Sequence, residues 1–104
     1  MRKQFAKTLL ELGADERLAV LIGDISHFLL RDFESKYKSR FYNLGVAEQS
    51  MMSMAAGLAL KGFFPVVHTI APFITERCLE QIKDDFCYQQ LGVNIVTVGA
   101  AFDY

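Results

Sequence analysis

Few side chains in this sequence stand where chemistry could be done, and Glu48 is the foremost of them. It lies in FYNLGVAEQSMMSMAAGLALK, residues 41–61, which opens as a short apolar strand and turns at Gly45. The stretch then runs into a helix that is almost wholly apolar and small-sided after Ser50. A helix apolar all round is expected to be buried, so a lone carboxylate stands where a strand end meets a buried helix. Two readings follow. An acid in a helix's first turn complements the helix dipole, worth ~0.3–1 kcal/mol. In dry surroundings a carboxyl group instead becomes a proton donor near neutral pH.

Other polar or aromatic residues fall near the same edge. Asp24 follows the first apolar run and is either a turn or cap residue or a second acid at the carboxyl end of the sheet. His68, on the third strand, is either a satisfied core histidine or a group lining that edge. His27 reads as an exposed loop histidine. One histidine there is not a metal site, and the Cys and His spacing matches no zinc pattern. Phe73 is either core or a flat wall for an aromatic ligand, and Asp84-Asp85 belongs to the solvated side of a helix. Neither a GxGxxG loop, a Walker pattern nor a serine nucleophile elbow is present, so whatever binds does not bring its phosphates to this chain.

The elements that must position these residues follow from periodicity. Residues 4–12 read as a helix with Phe5, Leu9 and Leu12 at helical spacing. The continuous apolar run LAVLI, residues 18–22, is the pattern of a parallel strand covered on both faces. Phe28 to Phe33 suggest a short helix, and Lys36, Lys38 and Arg40 a solvated basic loop. A strand over 41–44, a helix over 47–60 and a third strand, PVVHTI, come next. A long helix is expected over 72–91, because Ile74, Cys78, Ile82 and Phe86 repeat every four residues. VNIVTV, residues 93–98, is another strand, and residues 99–104 read as a loop leaving its end. Strands alternating with helices across short Gly or Pro joints predict an α/β fold, an open parallel sheet with flanking helices.

With 104 residues the chain has room for one small domain. Half of it is apolar, and a net charge of −1 offers no pull toward nucleic acid or an anionic membrane. Residues 1–13 form an amphipathic pattern rather than a signal peptide, and Met51 to Leu60 is too short to span a bilayer. Cys78 and Cys87 lie nine positions apart in the expected helix, on opposite faces, so they cannot bridge each other there. Reduced thiols and a cytoplasmic setting are expected. The chain ends just after a strand, at the side where such sheets bind ligands, which suggests a piece of something longer.

Three segments in order are more specific than any one residue: RFYNLGVAEQSMMSMAAGLALKGFFPVV, TIAPFITERCLEQIKDDFCYQ and VNIVTVGAAFDY. They resemble the pyrimidine-binding domain of transketolase and its thiamine-diphosphate relatives, over essentially all of residues 1–104. The GVAEQ segment is the most specific part. The opening, residues 1–26, is similar to the start of a split transketolase's C-terminal subunit. 1-Deoxy-D-xylulose-5-phosphate synthase is a close second match, and beta subunits of the pyruvate dehydrogenase type stand further away. The resemblance implies a thiamine diphosphate-binding fold, incomplete at the C-terminus. It also implies that Glu48 is the catalytic glutamate, hydrogen-bonding ring nitrogen N1′ of the cofactor's aminopyrimidine. Phe73 matches an aromatic that stacks on that ring, and Asp24 an acid near the thiazolium side. Ile70 stands where many relatives carry a second aromatic.

The same resemblance implies that the diphosphate and its Mg2+ are held by a separate domain or N-terminal transketolase subunit, through a GDG…N motif absent here. A homo- or hetero-oligomer acting on sugar phosphates is then expected, with AAGLA, residues 55–59, in the contact surface. A synthase using pyruvate, or an inactive assembly module of the same fold, are the alternatives.

Overall fold

Four apolar runs set the frame of the computed structural model, which describes residues 1–100. β1 (Leu18–Ile22), β2 (Phe41–Asn43), β3 (Phe64–Ile70) and β4 (Asn94–Val98) form one sheet in the order β2-β1-β3-β4. All three pairings are parallel, with Val20 opposite both Phe41 and Val66, and Val67 opposite Ile95. Every residue of β1 is buried, as an apolar run without alternation requires of a strand covered on both faces.

The helices supply the two covers. On one face α1 (Arg2–Leu12) and α2 (Arg31–Lys36) place Leu9 and Phe33 against Val20, Ile22 and Val66. On the other, α3 (Glu48–Leu60) packs Met51, Met52 and Ala55 against Leu21 and Val67. Successive strand residues point to opposite faces, which is why neighbours such as Val66 and Val67 serve different cores. All four strands end at the same edge, and the segments after β1, β2 and β3 meet there.

Three expectations are corrected. First, α3 is apolar in composition but not buried all round: Gln49, Ser50, Ser53, Gly57 and Leu60 are exposed along one side. Second, the segment 72–91 is not one long helix. It divides into α4 (Ala71–Thr75), a turn, α5 (Leu79–Gln81) and a π-helical stretch over Ile82–Cys87. A repeat of four residues drifts about 40° per step around an ideal α-helix. The turn and the wide π-helical stretch take up that drift, so Ile74, Cys78 and Phe86 are all buried. Third, Arg40 does not lie in a solvated loop. Its guanidinium donates to the carbonyls of Gly13 (2.6 Å), Asp15 (2.9 Å) and Leu18 (2.7 Å), pinning the α1–β1 turn to the start of β2.

Candidate active site

Glu48 is the first residue of α3 and is 1% exposed. The helix begins there because Gly45, at φ 69°, turns the chain out of β2. The Gly45 N–H donates to Asn43 Oδ1 at 3.1 Å, which ties the turn to the strand. An acid at this position also meets the partial positive charge of the helix start. Its two oxygens have different surroundings. Thr69 Oγ1, fully buried on β3, donates to Glu48 Oε1 at 3.1 Å. Arg77 Nη1 donates to Glu48 Oε2 at 2.7 Å, from a side chain that is 40% exposed.

Gly23, at the end of β1, completes the enclosure. A Cβ there would stand 2.9 Å from Thr69 Oγ1 and 3.0 Å from Glu48 Oε1, so only glycine leaves room for this hydrogen bond beside the strand. Outside the carboxylate lies a cleft of about 210 Å³ lined by Val46, Ala47, Gln49, Ser50 and Arg77. The Arg77 guanidinium also lies over the Phe73 ring, 4.1 Å from its centroid. Glu48 and Phe73, both singled out in the sequence, are thus linked through one arginine.

The other expected residues sit differently. Asp24 is exposed at the end of β1 with φ 59°. Its N–H donates to Asn43 Oδ1 at 3.1 Å, and its carboxylate accepts from Asn43 Nδ2 at 3.0 Å. That reciprocal pair holds the ends of β1 and β2 together, beside Gly23 but turned toward Asn43. Ile70 is the last residue of β3 and is buried. Strand alternation puts it on the face opposite Thr69. His68 is a satisfied core histidine. Its Nδ1 donates to Val96 O at 2.7 Å, which leaves Nε2 to accept from Ser26 Oγ at 2.9 Å. Burial pushes its pKa down, in keeping with a neutral ring. His27 is half-buried and pairs with Glu34 at 2.7 Å. Cys78 and Cys87 are both free, the first buried and the second exposed.

Thr69, Arg77 and Gly23 are the site residues that sequence reasoning missed. Thr69 left a faint trace, a polar residue following His68 in an otherwise apolar strand. Arg77 left none, because the turn that aims it is not visible in a four-residue repeat. Among the described residues no three His, Cys, Asp or Glu converge as a metal site, and no helix is long and apolar enough to cross a membrane.

A parallel sheet bearing a buried glutamate at the start of the helix after β2 defines an open α/β domain, and comparison with known proteins gives it a family. The model for the transketolase pyrimidine binding domain matches residues 1–103, and the chain belongs to that family. A putative transketolase C-terminal section of Methanocaldococcus jannaschii is 40% identical over 102 residues, covering 96% of this chain and 32% of that protein. A 1-deoxy-D-xylulose-5-phosphate synthase of Desulforudis audaxviator is 38% identical over 91 residues, covering 86% of this chain and 14% of the synthase. Among solved structures, a split-gene transketolase described as an inactive beta4 tetramer superposes with a TM-score of 0.83. It is 38% identical, over 92% of this chain and 33% of that one. The chain therefore spans about a third or less of the length of these relatives.

Proposed function

We propose that this chain supplies the pyrimidine-binding half of a thiamine-diphosphate-dependent transketolase. The reaction would transfer a two-carbon ketol unit between sugar phosphates. The carrying observation is Glu48: a carboxyl group 1% exposed, with one oxygen anchored by Thr69 and the other bonded to Arg77 beside a cleft. A fixed carboxylate with an aromatic ring close by fits the aminopyrimidine end of the cofactor. The diphosphate and its Mg2+ then fall to a diphosphate-binding domain or N-terminal subunit. When bound, thiamine diphosphate supplies the ring that stabilises a carbanion.

The chain's own part is positional and protonic. Glu48 would hold the pyrimidine's ring nitrogen N1′ through Oε2 and keep or give up a proton there. Phe73 would offer a flat surface for the pyrimidine. Ile70 closes the end of β3 behind Thr69, and Asp24, paired with Asn43, would stand toward the thiazolium side. A synthase-type reaction with pyruvate as donor would use the same Glu48, and the likeness to the Desulforudis audaxviator synthase supports that second reading. An inactive assembly of this chain alone is favoured by the inactive tetramer of the solved relative, and is compatible with activity after a partner joins.

The test is calorimetric titration of thiamine diphosphate and Mg2+ into the chain, alone and with a transketolase N-terminal subunit. Binding only with the partner is expected; tight binding by the chain alone would overturn the half-site. In the assembled enzyme Glu48→Gln should lower ketol transfer by about a hundredfold or more, the usual range for a lost acid–base group. Activity within a few-fold of wild type would remove Glu48 from its role.

A further inference from the structure

The two oxygens of Glu48 are held by residues with opposite freedoms. Oε1 is boxed in: Thr69 is fully buried on β3, and the missing Cβ of Gly23 leaves no spare volume beside it. Oε2 is bonded instead to Arg77, a side chain 40% exposed that lines the cleft with Glu48. With Oε1 enclosed, Oε2 is the oxygen left for a group arriving from the cleft, and Arg77 is already bonded to it.

Arg77 also occupies a second place. Its guanidinium lies 4.1 Å from the centroid of Phe73, over the face on which a flat ring would stack. One side chain thus fills both positions that an aminopyrimidine needs, the hydrogen bond on Oε2 and the face of Phe73. Its main chain does not move with it. The carbonyl of Arg77 accepts from Gln49 Nε2 at 3.1 Å, and its N–H donates to Pro72 O at 3.2 Å. Only the side chain is free to swing.

From this, and resting on the assignment of Glu48 to the ring nitrogen, we propose that Arg77 competes with the cofactor's pyrimidine for Glu48 Oε2. Arg77 is the displaceable stopper of the half-site, and Thr69 its permanent anchor. The Arg77 side chain is 40% exposed, so a released guanidinium regains water and displacement is cheap for Arg77. It is not cheap for Glu48, because a buried carboxylate without a partner is costly. Arg77 therefore leaves only as the ring nitrogen arrives, in an exchange of partners.

The experiment uses the chain assembled with a transketolase N-terminal subunit, titrated calorimetrically with thiamine diphosphate and Mg2+. Wild type, Arg77→Gln, Glu48→Gln and the double variant form a cycle. Arg77→Gln should bind about two- to fivefold tighter, the range of a partly exposed pair. That gain should vanish in the Glu48→Gln background. Should Arg77→Gln fail to assemble, Arg77→Lys replaces it, keeping the charge but losing the planar stack, and a smaller gain is expected. Equal or weaker binding by the arginine variants would overturn the proposal and make Arg77 a holder of Glu48. Unchanged binding by Glu48→Gln would instead remove the assignment of Glu48 itself.

Discussion

Glu48 and His68 are both buried, on opposite faces of the sheet, and are kept there by different means. Glu48 has a hydrogen-bond donor on each oxygen, whereas His68 stays neutral, with one nitrogen donating to Val96 O and the other accepting from Ser26 Oγ. Burial lowers the His68 pKa from its ordinary 6.5, and the nearby charge of Arg2 acts the same way. The unfolded chain therefore takes up a proton here at a pH where the folded chain does not. Linkage makes stability rise with pH wherever the unfolded state binds more protons. The stabilisation is complete above 6.5, declines as the pH falls below it, and levels off beneath the lowered folded value. Chemical denaturation from pH 7.5 to 5 should show this decline, and His68→Gln should flatten it. An identical slope in the variant would mean that other groups carry the acid sensitivity.

At the scale of elements, Arg40 connects what the sheet alone does not. Its side chain reaches three carbonyls around the α1–β1 turn and lies 4.7 Å from the Tyr37 ring centroid. Arg40→Ala should lower the unfolding free energy by about 2 kcal/mol, the scale of lost charged hydrogen bonds. A loss below about 0.5 kcal/mol in a denaturant titration would show that water replaces the guanidinium freely. Arg40 also marks where sequence reading stops. The apolar runs of β1 and β3 and the stripe of α1 were legible because burial writes itself into composition. A basic residue used to satisfy carbonyls looks the same in sequence as one left in water. The helix expected over 72–91 failed for a related reason. The repeat at Ile74, Cys78, Ile82 and Phe86 reports which residues face inward, but not the hydrogen bonding that keeps them there. Glu48 was legible from its apolar neighbours. Thr69 and Arg77 depend on contacts between α3, β3 and a turn, which no local pattern records.

For the whole molecule, the sheet is unevenly finished. β1 and β3 have a strand on each side, whereas among the described residues β4 pairs with β3 alone and has Asn94 and Ile95 exposed. Val46, which lines the Glu48 cleft, is 73% exposed, and Leu79, at the start of α5, is 55% exposed. An unpaired strand edge and apolar groups in water both favour association. Sedimentation of the isolated chain should show concentration-dependent self-association, reduced when an N-terminal transketolase subunit is added. A monomer at every concentration would mean that these surfaces are harmless alone. The inner position of β3 has a further consequence, one of timing. Thr69 lies on a strand held along both edges, so its hold on Glu48 lets go only when the sheet itself opens. Arg77 hangs from a turn between two short helices and can swing while the sheet stays closed. The two oxygens of one carboxylate thus keep separate clocks, one set by unfolding and the other by the rotation of a single side chain.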